Sequence, residues 1–214
     1  MGFATVLQAN FYKISEFPVK RLQDTYSFWK EHWQKEFQEQ NLADIDTSCA
    51  DDFVTSDEVL VVNNEDLICG IVLLNNFDRR LEPYRDHSYF QGFPLLPEKK
   101  ITALRYYISH PSVRHGRGGM QISRLLLALC FERFYYSEQE LLVGMPLKAK
   151  GAHNLTYKFG MKSLTNGEPH FKHNVEVDYV SLEKEDLNLK LISELKKKHF
   201  EAEEGEQELY RRPA

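Results

Sequence analysis

The spacing of apolar positions changes several times along the chain, and each change marks an expected element. Residues 3–13 read as a first strand, and 17–40 as a long amphipathic helix, with Leu22, Tyr26, Trp29, Trp33 and Phe37 recurring on one stripe. The polar, acidic segment 41–57 predicts a loop. Two apolar runs, 58–63 and 67–76, flank turn chemistry at Asn63 to Asp66 and predict a hairpin. Residues 79–100 have no clean period and carry Pro83, Tyr84, Tyr89, Phe90, Phe93, Pro94 and Pro97, so they predict a long excursion of the kind that serves as a binding loop. A strand follows over 101–109 and stops at His110-Pro111, because the residue before proline is pushed out of the helical region. Ile122, Leu125, Leu126, Leu129 and Phe134 then recur at helical spacing and predict a helix with one apolar face lying on the sheet. A strand over 140–146, a short helix over 151–159, a strand over 174–182 and a last helix over 187–199 complete the pattern. Strands outnumber helices and surround one central helix. The class is α/β of the mixed α+β kind, with a single, mostly antiparallel sheet flanked by helices.

At 214 residues the chain is long enough for one sizeable core. We expect a single domain over 1–200 and a charged, mobile tail over 201–214. A hydrophobic content of 42% with 28% charged residues is ordinary for a globular protein, and no apolar run is long enough to span a bilayer. The first residues lack the pattern of a secretory signal, which predicts a cytoplasmic protein. Met-Gly at the start is not followed by the Ser or Thr at position 6 that myristoylation wants; Val6 stands there. Three scattered cysteines, Cys49, Cys69 and Cys130, predict reduced thiols. The net charge of -5 argues against a nucleic-acid binder, whose footprint is basic.

Candidate chemistry concentrates where the strand over 101–109 meets the central helix, in ISHPSVRHGRGGMQISRLL. Gly116, Gly118 and Gly119 allow close approach of the backbone to a ligand, and the first turn of a helix offers unpaired N–H groups to an anion. Arg114, His115 and Arg117 add charge, and arginine can fork two N–H bonds onto phosphate oxygens. A diphosphate would suit such a loop; a solvated surface turn is the alternative. The segment contains neither GxxxxGK[ST] nor GxGxxG, so the nucleotide loops that depend on those spacings are excluded.

The order of elements and two short motifs resemble the GNAT acyltransferase superfamily, which uses acyl-coenzyme A. In that family a loop patterned Q/R-x-x-G-x-G/A holds the cofactor pyrophosphate. Counting from Arg114 puts Arg117 at the first glycine and Gly119 at the last position; counting from His115 puts Gly118 at the first glycine and Met120 at the last. The second motif, A-x-x-x-Y-x-x-x-G-F, resembles AHNLTYKFGM, with Ala152, Gly160 and Met161 in place, Thr156 at the tyrosine position and Tyr157 one residue late. The resemblance implies an acyl-CoA N-acyltransferase fold. Tyr107, Ile108, Arg114, His115, Gly116, Arg117, Gly118 and Gly119 would bind acyl-CoA, with acetyl-CoA as the expected donor. An amine acceptor, a small molecule or a peptide, would take the acyl group.

A lysine-like amine with pKa near 10.4 is neutral in only about one molecule in 2500 at pH 7, so such a reaction wants a base. The strand over 101–109 contains a single ionised side chain, Arg105. His110 is therefore the candidate base or a surface histidine before proline, and Tyr157 the candidate acid or a packing residue. Asp78 and Glu82 are weaker candidates for holding an amine. His170, His173 and His153 have no cysteine or carboxylate cluster to complete a metal site, so no metal is expected.

Two other readings stay open. TYSFWKEHW followed by DIDTSCADDF is loosely similar to acyl-homoserine-lactone and N-acyl amino acid synthases, which can use acyl carrier protein; the aromatic residues from Tyr84 to Phe93 would then line an acyl tunnel or simply pack over the sheet. The other is a non-catalytic CoA-binding or interaction module with the same fold. A homodimer is compatible with each reading.

Overall fold

Each early element forms where its apolar pattern predicts. The computed structural model describes residues 7–39, 50–114, 122–148, 151–172 and 175–199. β1 (Leu7–Lys13) leads to α1 (Val19–Glu39), and after α2 (Ala50–Val54) the chain forms the hairpin β2 (Glu58–Asn64) and β3 (Leu67–Asp78). The excursion carries α3 (Glu82–Arg85) and a single 3-10 turn at Ser88–Phe90. β4 (Lys100–Ser109), α4 (Pro111–Arg114) and α5 (Ile122–Tyr136) follow, then β5 (Leu141–Gly144) and α6 (Ala152–Lys158). β6 (Lys162–Ser163), β7 (His170–Lys172), β8 (Val175–Val177), β9 (Val180–Leu182) and α7 (Leu189–His199) complete the described chain.

The main sheet has the order β1-β2-β3-β4-β5-β9-β6, and its pairs are antiparallel except β4 with β5. β7 and β8 form a separate hairpin. Because side chains alternate across a strand, β3 sorts its residues cleanly between two layers. Val72 and Leu74 meet Leu125, Leu126 and Leu129 of α5, while Ile71 and Leu73 meet Trp29 of α1 and Phe53 of α2. Further along the second face, Phe77 packs on Tyr89, Phe90 and Leu96 of the excursion. A β-carbon on Gly70 would lie 2.6 Å from Leu126 Cδ1, so glycine lets α5 sit directly on the sheet.

The single apolar face expected of the central helix is in fact two. Leu125, Leu126 and Leu129 of α5 face β2 and β3; Leu127, Phe131 and Phe134 meet Ile192 and Leu195 of α7. Burial on both sides explains the near-continuous apolar run from Leu125 to Phe131. The loop expected over 41–57 contains α2, and the strand expected over 174–182 is two short strands in different sheets, broken at Asp178 and Tyr179. The excursion is a packed layer: Arg79 Nη1 donates to the Leu96 carbonyl at 2.6 Å and Nη2 to the Arg85 carbonyl at 3.0 Å, with its guanidinium over the Phe90 ring. Its aromatic residues therefore take the second of the two roles left open for them, packing over the sheet. The tail 201–214 lies outside the described residues. No helix among the described residues is long and apolar enough to cross a membrane.

Gly160, from the second motif, ends the turn after α6 at φ +104, and a β-carbon there would lie 2.0 Å from the Asp186 carbonyl oxygen. Both backbone conformation and space demand glycine. Gly160→Ala should cost about 2 kcal/mol and lower the thermal midpoint by about 4–8 °C, read by circular dichroism; an unchanged midpoint would contradict this placement.

Candidate functional site

The site begins with a sheet that comes apart. β4 and β5 pair over only four residues, Ile101–Leu104 against Leu141–Gly144, while β4 remains paired with β3 as far as Ser109. Beyond Gly144 the chain is drawn to its other side. The Asp178 N–H donates to the Pro146 carbonyl at 3.1 Å, and the Lys148 N–H to the Glu176 carbonyl at 3.0 Å. Strand β4 thus presents residues 105–109 along an edge that no strand among the described residues pairs with. Backbone donors and acceptors on such an edge need partners, and an extended ligand can supply them. His110 N–H donates to the Cys69 carbonyl of the neighbouring strand, so alternation directs the N–H groups of Tyr107 and Ser109 toward the opening and that of Ile108 toward β3.

A β-bulge shapes the wall. In the β3–β4 register Val72 faces Tyr107 and Leu73 faces Arg105, which leaves Tyr106 as the extra residue. The bulge resets the alternation, so Arg105 and Tyr106 project to the same face. Both end on one carboxylate: Arg105 Nη2 donates to Asp52 Oδ1 at 2.6 Å, and the Tyr106 hydroxyl donates to Asp52 Oδ2. Asp52 comes from α2, which is fastened by Ser56 Oγ to the Asp52 carbonyl (2.8 Å) and by Asn75 Nδ2 of β3 to the Thr55 carbonyl (3.0 Å). Trp29 and Trp33 meet the Tyr106 ring edge-on at 5.5 and 4.8 Å. The Arg105 guanidinium also lies over the Tyr106 and Tyr89 rings.

The opposite rim comes from the β7–β8 hairpin. Lys172 Nζ reaches Met145 Sδ at 3.7 Å and lies over the Tyr89 ring at 5.9 Å. Burial pushes its ammonium below the ordinary lysine range and the Arg105 charge adds to the effect, with Asp52 opposing. His87 is lowered by burial and then by Arg105, and the buried Tyr89 phenol is pushed up by desolvation. The Tyr89 hydroxyl donates to the Leu104 carbonyl at the point where the strands part.

The residues singled out from sequence fall in distinct places. His110 ends β4 against Phe28 and His32 of α1, and its Nδ1 accepts the Ser112 N–H at 3.2 Å. An acceptor Nδ1 puts the proton of the neutral ring on Nε2, so in this arrangement His110 offers a donor. Tyr157 sits beyond β5, where its hydroxyl donates to Asp178. Asp178 is 1% exposed and also accepts from Ser163 Oγ at 2.7 Å and Thr165 Oγ1 at 2.9 Å. Burial, and then the Asp178 contact, push the Tyr157 phenol up to about 12. Thr156, at the motif's tyrosine position, donates back to the His153 carbonyl of its own helix at 2.8 Å. The Tyr107 side chain packs toward α5 and Ile108 toward α1. The Arg114 backbone closes α4; the Arg114 side chain and all of His115, Gly116, Arg117, Gly118 and Gly119 lie outside the described residues. Asp78 is held by Arg80 at 2.8 Å beside Lys100, at the end of β4 away from the opening, and Glu82 is exposed beside Arg85. His170 packs on Tyr179 and His153 on Tyr157.

Four residues of this cleft were not among the candidates. Asp52 lay in a segment read as loop, and Lys172 and Asp178 owe their place to a hairpin that the pattern missed. Arg105 did carry a signal, as the lone charge in an otherwise apolar strand.

No protein-family model matches the chain, and no curated protein matches it in sequence. Solved structures do match its shape. The CoA-dependent acyl-homoserine lactone synthase BjaI, solved with SAM and isopentyl-CoA, superposes with a TM-score of 0.65 at 12% identity, over 90% of this chain and 89% of that one. An acyl-CoA N-acyltransferase from Pseudomonas aeruginosa gives 0.55 at 10% identity, over 81% and 98%. The chain has the acyl-CoA N-acyltransferase fold. FeeM, an N-acyl amino acid synthase from uncultured soil microbes, shares it at a TM-score of 0.55 and 13% identity, over 84% and 92%. At these identities the likeness is one of fold.

Because Tyr157 loses its proton more readily unfolded than folded, stability should be intact below about pH 10 and fall as the pH rises toward about 12. Asp178→Asn should bring the Tyr157 pKa down while leaving it above 10, since burial is the larger cause. NMR titration of ring-labelled tyrosine checks this; a Tyr157 that titrates at the ordinary value in the parent protein would contradict the assigned contact.

Proposed function

We propose that the protein is an N-acyltransferase that moves an acyl group, with acetyl the expected one, from acyl-coenzyme A to an amine held over Arg105, Asp52 and Tyr106. The carrying observation is the parted edge of β4, which ends at the segment leading into the glycine-rich loop. A pantetheine arm lying along residues 105–109 would bring its thioester beside the bulge, and the loop from Arg114 to Gly119 would hold the pyrophosphate. The fold shared with proteins named as users of acyl-CoA supports the same donor.

In the reaction the deprotonated amine attacks the thioester carbonyl carbon. A C–N bond forms and the carbonyl oxygen takes up negative charge; the nitrogen then gives up a proton to solvent, the carbonyl re-forms, and the C–S bond breaks to release the coenzyme A thiolate, which takes up a proton from solvent. Main-chain N–H groups on the open edge are fixed donors for the oxyanion. His110 contributes through its Nε2–H. A phenol at about 12 is a weaker acid than a thiol near 8.5, so full proton transfer from Tyr157 to the thiolate would run well uphill. Tyr157 already gives its one proton to Asp178, so at the β5 side of the opening its oxygen serves as an acceptor. The reduced, buried Cys69 and Cys130 suit a cytoplasmic setting.

Calorimetry with acetyl-CoA, longer acyl-CoA and free coenzyme A, paired with a thiol-release assay over a panel of amines, tests the reading. Saturable binding with amine-dependent thiol release is expected. Arg114→Glu combined with Gly118→Asp should abolish binding with the fold retained, because both changes put negative charge where the pyrophosphate would lie. Unchanged binding in the folded double variant would overturn the loop assignment, and binding without turnover would make the protein a non-catalytic module.

A further inference from the structure

The acceptor side of the cleft is short of one negative charge. Arg105 and Lys172 arrive from different elements and lie over the same Tyr89 ring, at 5.6 and 5.9 Å from its centroid. Against these two cations the described residues set one carboxylate, Asp52, and both its oxygens are already engaged by Arg105 and Tyr106. Asn75 adds only a neutral contact to Arg105 at 3.4 Å. The other acid on the hairpin, Glu176, is paired with Lys148 at 3.1 Å, and the register sets Val175, not Glu176, opposite Lys172. Of the other titratable groups at this place, Tyr89 and Tyr179 are raised by burial, His87 is lowered by burial and by Arg105, and His170, which brings no negative charge, packs on Tyr179.

Lys172 therefore holds three N–H donors against a thioether and a ring face, both weak partners for an ammonium. A half-buried cation that shares a ring with a second cation and feels its charge calls for an anion. The deficit is a single charge, which suits a carboxylate better than a phosphate dianion. We propose that Lys172 and Arg105 form a carboxylate subsite, so that the amine acceptor carries a carboxylate of its own. The proposal rests on the acyl-transfer reading for the identity of that ligand as the acceptor. The aromatic walls, Tyr89, Tyr106 and the Phe93–Tyr179 pair, leave the rest of such an acceptor in apolar surroundings.

The test is competitive amine labelling of the full-length protein, with Lys172 followed by peptide mass spectrometry across a pH series. Sodium acetate, tyrosine and tyramine are added separately, each against sodium chloride at matched ionic strength. Acetate and tyrosine should raise the apparent pKa of Lys172 and slow its labelling at about pH 8 by about threefold or more, since each unit of pKa cuts the neutral fraction about tenfold. Tyramine, which lacks the carboxylate, should not. A Lys172 that responds to none of them, or equally to chloride, would overturn the subsite. This readout needs no turnover, so its failure leaves acyl transfer standing; failed coenzyme A binding would leave a positive labelling result standing as an anion site.

Discussion

The cleft in this molecule depends on two parallel strands that stay together for only four residue pairs. The separation is enforced from the outside: β9 pairs with β5, and the segment after it is then taken by the 176–178 backbone. Pairing on the far side of β5 draws the chain after Gly144 away from β4, and the β4–β5 ladder stops there. A main-chain edge is left along β4, and exposed edges of this kind are ready templates for an extended partner. The edge stays in place because β3 holds β4 through Ser109 and because Gly70 lets α5 press directly on the sheet beside it.

The bulge at Tyr106 gives that edge a polar wall. A regular strand would send Arg105 and its neighbour to opposite layers; the inserted residue points both at Asp52. The resulting triad links β4 to α2, and Asn75 ties α2 back to β3, so the wall of the cleft is cross-braced by polar contacts as well as by Trp29, Trp33 and Phe53. Charge in the cleft does not cancel: Arg105 is matched by Asp52, and Lys172 on the hairpin adds a further positive charge.

The sequence made the sheet and its helices legible because their signals are local. Alternation in 58–76, the stop at His110-Pro111 and the helical spacing from Ile122 each reflect a single element meeting a single layer. What stayed hidden depends on contacts across the chain. Asp52 lies 53 residues from Arg105, in a segment whose polar composition masks a short helix. Lys172 and Asp178 are placed by a hairpin of three-residue strands, too short for any period to show. The same limit applies to α5, whose second apolar face makes sense only once α7 is packed against it. The motif glycine at 160 was readable as a motif, and the Asp186 carbonyl explains why no other residue fits.

Amide hydrogen exchange measured with and without acetyl-coenzyme A tests the central claim most directly. If the parted edge receives the acyl donor, added protection will concentrate over residues 105–109 and in the segment just after β5, with β1 and β2 unchanged. Saturable binding with protection elsewhere, and none along 105–109, would show that the opening between β4 and β5 is not where the donor lies.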